Sequence, residues 1–299
     1  MAAPPDPAWF IGLVGFSYPE WENTFYRGVR KSVHRLAHYA TLFNTVEINT
    51  TFYGVPTAKT ARAWRDMTPD GFRFCVKMPR DVTHGPTPPG ALASNEPPIG
   101  HLLRDETLGA ARRLVEAIEP IRAKLGAVLM QFPRRFSADR RGELAGFLER
   151  FGGVAPLAVE LRHDSWRTPE TSALLSEHGA CWVAADESPR RDVEANEASA
   201  TDGALGPTAG FLYVRWLGRH GQFPDRSHEH FDPTARLLRW AERLRAAVRE
   251  HPGLGAVYGF FDNDFAGHAP ATAQRFAAIV GGTAPVGGSR PPKQRSLFD

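Results

Sequence analysis

Eight short apolar runs recur along the chain, at residues 9–14, 45–48, 72–76, 127–130, 157–159, 181–184, 211–214 and 256–260. They are rich in Val, Leu and Phe and do not alternate strictly with polar residues. That is the pattern of strands buried on both faces of a parallel sheet. Helical patterns separate most of them. Val33, Leu36, Ala37 and Ala40 fall on one helical face, as do Leu108, Ala111, Leu114, Val115 and Ile118. Thr168-Pro169-Glu170 offers an N-cap, a first-turn proline and an acid beside the helix dipole; Asp232-Pro233 repeats the device before Leu237, Leu238, Ala241 and Leu244. Gly179 suits a helix C-cap just before the sixth run. Eight strands alternating with helices over roughly 250 residues predict a TIM-type (β/α)8 barrel.

The rhythm continues without a break, which predicts one domain over residues 8–280. Three stretches depart from it. Residues 79–103 are Pro/Gly-rich and are expected to arch over the barrel mouth. Residues 187–210 have no helical period and replace the helix expected between strands six and seven, so the barrel is irregular. Residues 281–299 form a Gly/Pro/Ser/Lys tail expected to be disordered. Cys75 and Cys181 lie inside predicted strands and read as buried thiols of a reducing compartment, not as a disulfide. Neither a signal-peptide pattern nor an apolar run of membrane-spanning length is present, so a cytoplasmic protein with no membrane partner is expected. The net charge of +3 permits a nucleic-acid partner without requiring one.

In a TIM barrel the chemistry sits where the strands end. Following the runs in order come Ser17, Glu47 with Asn49, Lys77, Gln131, Glu160 with Arg162 and His163, Asp186, Arg215, and Asp262 with Asp264. Glu47 and Glu160 could face each other as acid and base; the bland alternative pairs each with a cation at the rim. Lys77, Arg162 and Arg215 suit phosphate, carboxylate or a nucleic-acid backbone and disfavour a bare metal site. No HExxH or paired CxxC spacing is present. The cofactor stays unknown; a divalent metal would need Asp186, Asp262 and Asp264 with His84 or His163. His220, His228 and His230 near Asp225 read as a solvated loop. Aromatics near the strand ends, among them Tyr53 and Trp166, could stack a base or sugar ring or simply brace the barrel.

Several blocks carry a family likeness: GFSYPEW at 15–21, VEINTTFY at 46–53, FRFCVKMPR at 72–80 with Thr83-His84, Gln131-Phe132-Pro133, AVELRHDSW at 158–166, Tyr213-Val214-Arg215 and FDNDFAG at 261–267. In order and over roughly residues 10–280, they resemble the YecE-like family, a domain-of-unknown-function family. The resemblance implies an irregular TIM barrel. Two departures stand out. Arg215-Trp216-Leu217-Gly218 replaces a block that more often reads Arg-Leu-His-Gly, and Asp262 precedes Asn263 where the family usually carries two asparagines.

Together these readings nominate Glu47, Glu160, His163 and Asp186 as catalytic. They nominate Asn49, Tyr53, Lys77, His84, Gln131, Arg162, Trp166, Arg215, Asn263 and Asp264 as contacts to an anionic or phosphate-bearing ligand. At the end of the tail, QRSLF resembles the bacterial sliding-clamp-binding peptide, with Gln294 setting register and Leu297 and Phe298 as apolar anchors. The expected function is therefore a DNA-associated protein acting on a phosphodiester or nucleotide. The alternatives are a small-molecule enzyme acting on a sugar or sugar phosphate, and a catalytically silent binding module.

Overall fold

A computed structural model describes residues 6–29, 31–85, 100–187 and 206–281. Among these residues nine strands form one all-parallel sheet: β1 (Ala8–Val14), β2 (Thr45–Ile48), β3 (Arg73–Lys77), β4 (Leu125–Gln131), β5 (Leu157–Glu160), β6 (Cys181–Trp182), β7 (Ala184–Asp186), β8 (Phe211–Trp216) and β9 (Ala256–Phe261). The order is β6-β5-β4-β3-β2-β1-β9-β8-β7. Its two ends are one chain segment, split at Val183: β6 pairs with β5, and β7 pairs with β8. The sixth apolar run is thus present but divided, and the division closes the cylinder. Val183 N still donates to Val159 O at 3.0 Å.

Alternation along each strand sorts the side chains into two cores. Val14, Cys75, Ala127, Leu129, Ala158, Cys181, Val183, Tyr213, Tyr258 and Phe260 fill the barrel interior. Their neighbours in the chain, such as Leu13, Val46, Val76, Val128, Val159, Val214 and Phe261, pack outward against the helices. At the N-terminal end of the strands, Phe10 stacks on Tyr258 at 5.0 Å and Phe211 meets the same ring edge-on. Aromatic rings therefore plug the bottom of the barrel, and only the C-terminal end is left for chemistry. Both thiols are free and buried inside, where desolvation pushes them above the usual thiol range.

The helices follow the predicted faces with two exceptions. The first helix proper is Arg35–Tyr39, preceded by a 3-10 turn, so Val33 is 60% exposed and Tyr39 takes its place in the core. Leu238, on the helix Thr234–Glu250, faces solvent while Leu237, Ala241 and Leu244 are buried. Pro233 takes the N-cap position of that helix, and Asp232, one residue before it, accepts from Thr234 N at 3.0 Å. Gly179 closes the helix Pro169–Glu177 with a φ of 60°. Of the expected arch over the mouth, only its start, with the short helix Arg80–Thr83, and its last residues are described. The rest of that arch, most of 187–210 and the tail from 282 onward lie outside the described residues.

Candidate functional site

Strand alternation points Glu47, Lys77, Gln131, Glu160 and Arg215 inward at the top of the barrel. Four of them form a buried layer around Arg215. Its Nε and Nη2 donate to Glu47 Oε2 and Oε1 at 2.9 and 2.8 Å. Its Nη1 donates to Glu160 Oε2 at 2.6 Å and to Gln131 Oε1 at 3.2 Å. Tyr213, one turn of the alternation below, donates its hydroxyl to Glu47 Oε2 at 2.8 Å. Arg162 Nε donates to Glu160 Oε1 at 2.5 Å. Glu47 is 0% exposed, Glu160 1% and Arg215 2%. Ions so deeply buried persist only when every lone pair and N–H finds a partner, and a planar guanidinium can serve two carboxylates at once. Burial alone would raise the Glu160 carboxyl, but the Arg162 and Arg215 guanidiniums overcome it and hold it at about 2.

Above this layer lies a cavity of about 420 Å³. Asn49, Lys77, Gln131, Arg162, Arg215 and Asp262 line it from the strand ends; Arg134, Glu187, Arg219, His220 and Asp264 line it from the loops. Lys77 is the distinctive cation. Its Nζ donates to Gln131 Oε1 at 3.0 Å and sits 4.2 Å from the Phe52 ring centroid, and it forms no ion pair among the described residues. Burial and the neighbouring Arg215 charge push its ammonium down to about 8. Just past β9, Asp262 continues the inward alternation of Tyr258 and Phe260. Burial, together with the Asp264 charge, raises its carboxyl above the usual range, although it also accepts from Asp264 N. Asn49 Oδ1 is buried with no hydrogen-bond partner. Buried polar atoms are nearly always satisfied, and Asn49 lines the cavity, so this orphan is a candidate for a ligand contact.

The loop after β8 reaches the cavity through Gly218. Its φ is 64°, and a Cβ there would lie 2.0 Å from the Asp264 carbonyl oxygen, so no other residue fits. Asp264 holds the loop in place, accepting from Gly221 N at 2.8 Å and Arg226 Nη2 at 3.2 Å. Leu217, where the family block more often has histidine, is part of the cavity wall.

Several nominated residues lie elsewhere. Asp186, nominated as catalytic, points outward from β7. Arg236 grips its carboxylate, with Nε on Oδ2 at 2.9 Å and Nη2 on Oδ1, and Trp240 Nε1 donates to Oδ2 at 2.8 Å. Asn263 Oδ1 is taken by Trp21 Nε1 and Ala269 N, both at 3.1 Å. Trp166 is fully buried, its indole donating to Phe136 O. His163 caps the 3-10 turn Asp164–Trp166 by accepting from Ser165 N. Tyr53 is 85% exposed, edge-on to Phe52. His84 is half-buried against Phe52 and bonded to Thr83 Oγ1; burial and the Lys77 charge lower it to about 4. Gln294, Leu297 and Phe298 lie outside the described residues. No group of three or more His, Cys, Asp or Glu residues among the described residues is arranged to hold a metal ion. No described helix is long and apolar enough to cross a membrane.

The placement of Asp186 gives a first test. Changing Asp186 to Ala removes the carboxylate that accepts from Arg236 and from Trp240 Nε1, and about 1–3 kcal/mol of stability should be lost while ligand binding in the cavity is retained. Chemical denaturation with a parallel binding titration checks both halves; lost binding with intact stability would restore the catalytic assignment.

The family model described as "Protein of unknown function DUF72" matches residues 10–296. The UPF0759 protein YecE of Escherichia coli K12 is 30% identical over 154 residues, which is 52% of this chain and 48% of that protein. YunF of Bacillus subtilis 168 is 25% identical over 187 residues, 58% of each chain. The chain therefore spans about half the length of the curated relatives it matches. Two solved structures share the barrel. A DUF72 family protein of Enterococcus faecalis V583 matches with a TM-score of 0.68 and 20% identity, covering 91% of this chain and 95% of that one. A Thermotoga maritima MSB8 member matches with a TM-score of 0.67 and 24% identity, covering 92% and 99%. Sequence blocks, family model and barrel agree over almost the same residues, and the chain belongs to the DUF72 family.

Proposed function

We propose that the cavity binds a small anionic molecule, a sugar phosphate or a single nucleotide, and moves a proton on it. The observation that carries this reading is Lys77: a cation in the cavity wall without a carboxylate partner among the described residues, beside an orphan Asn49 oxygen and a carboxyl, Asp262, that is held above its usual range. Groups whose proton affinities are displaced toward neutrality, gathered in one cleft, are suited to acid–base work. Lys77 and Arg162 take the anionic group, Asn49 accepts from a ligand hydroxyl, and Asp262 exchanges the proton. Glu47 and Glu160, already bonded to guanidiniums, orient Arg215 and Arg162 and do not themselves transfer protons. A volume of about 420 Å³ suits a molecule of this size and is too small for a duplex. The test is thermal unfolding with inorganic phosphate, a hexose phosphate, a nucleoside monophosphate and the neutral hexose. Stabilisation by the phosphates alone supports the reading; equal stabilisation by the neutral sugar, or none by any, rejects it.

A DNA association is a separate proposal resting on the terminal QRSLF peptide. The intact chain should bind the replication sliding clamp at about micromolar strength. A chain ending at Pro292 and the L297A/F298A double variant should not. Equal binding by all three, or none by the intact chain, removes the DNA role and leaves the cavity reading untouched.

A further inference from the structure

Glu187 follows Asp186 directly, and alternation turns it the opposite way, toward the cavity. There it bridges two arginines: Oε1 takes Arg162 Nη2 at 2.9 Å, and Oε2 takes Arg134 Nη2. Arg162 is held from behind, its Nε on the buried Glu160, so its outer N–H groups stay aimed at the cavity whether or not Glu187 is present. Arg134 comes from the turn after β4 and is 72% exposed. All three side chains line the cavity. A carboxylate held across two guanidinium forks reproduces the geometry by which such forks take a phosphate or a carboxylic acid.

We propose that Arg134 and Arg162 form a two-arginine clamp for the ligand's anionic group, and that Glu187 is an internal anion occupying the clamp until the ligand displaces it. The inference rests on the anion-binding reading of the cavity and goes beyond it by naming the subsite and its built-in competitor. Displacement is easy for physical reasons. The Glu187 carboxylate is partly solvated, with 27% of its side chain exposed, so it re-enters water at little cost, and a solvated pair of this kind contributes little net attraction. The backbone below it stays fixed, because Asp186 is tied by its side chain to Arg236 and by its carbonyl to Leu217 N and Gly218 N. Only the Glu187 side chain has to swing.

The experiment titrates the full chain with inorganic phosphate by calorimetry, comparing wild type, Glu187→Gln, Lys77→Met, and Glu187→Gln combined with Arg134→Gln. Glu187→Gln should bind roughly fivefold more tightly, the size of one solvated ion pair removed from competition. Adding Arg134→Gln should abolish that gain. A gain that survives Arg134→Gln is a general effect of removing a negative charge and overturns the clamp. Wild-type binding that Lys77→Met removes, with unchanged or weaker binding by Glu187→Gln, overturns the clamp while keeping the cavity reading. No binding by wild type but binding by Glu187→Gln supports the clamp in its strongest form, and no binding by either overturns both.

Discussion

Replacing Arg215 with Met is expected to lower the stability of the fold by about 3–5 kcal/mol, more than any change at the rim. The guanidinium supplies hydrogen bonds to three carboxylate oxygens and one amide oxygen, and its removal leaves Glu47, at 0% exposure, with only the Tyr213 hydroxyl and Glu160, at 1%, with only Arg162. Urea unfolding at neutral pH measures the loss; a value below about 1 kcal/mol would sink the structural role. Acid gives an internal control. The folded state holds the Glu160 carboxyl at about 2, below its ordinary 4.5, so its contribution is complete above about 4.5 and fades as the pH falls toward 2. Wild type should weaken through that window. The Met variant, in which Glu160 loses one of the two guanidiniums that hold its carboxyl down, should weaken less, and the two curves should approach each other.

Replacing Lys77 with Met should have the opposite profile: an affinity for phosphate or sulfate reduced about a hundredfold, with stability unchanged or improved. The folded state depresses the Lys77 ammonium from 10.5 to about 8, so at neutral pH the protonated form is disfavoured by folding. A group that folds at a disadvantage and improves binding is the signature of function over stability. In wild type, sulfate affinity should decline as the pH rises through about 8, as the ammonium loses its proton. Sulfate is the probe because its own charge is constant over that range. Calorimetry on both sides of that pH decides the matter: a flat profile, or undiminished binding by the variant, rejects Lys77 as the anion's principal partner.

The barrel was legible because eight buried strands need eight apolar runs, and parallel strands buried on both faces need little else. The inward set was legible for the same reason. Glu47, Lys77, Gln131, Glu160 and Arg215 all sit at a run's end with the parity of its interior residues. Counting that parity from Tyr258 and Phe260 also reaches Asp262, which the motif reading passed over in favour of Asn263 and Asp264. Asp186 turns away from the cavity because its partners, Arg236 and Trp240, come from a helix some fifty residues onward, and no local pattern reveals which face of a three-residue strand looks inward. Glu187 keeps the alternation of β7 but opens the stretch without helical period, and Arg134 lies in the turn after β4, so neither directly follows an apolar run. Trp166 and Asn263 look like ligand contacts by residue type, yet the Trp166 indole N–H and the Asn263 Oδ1 are bonded to the protein itself.

The break at Val183 makes the cylinder uneven around its circumference. Elsewhere the ladders run for three to six residue pairs, and at the seam β7 and β8 also share three, but β5 and β6 share only two. A ring breathes first where its ladder is shortest, because opening there breaks the fewest bonds. The wall that carries Glu187 is built on that seam. The buried ion layer and the Asp186 backbone, pinned by Leu217 N and Gly218 N, hold their geometry, so adjustment to ligands of different size falls to the β5–β6 side of the break and to the Glu187 side chain.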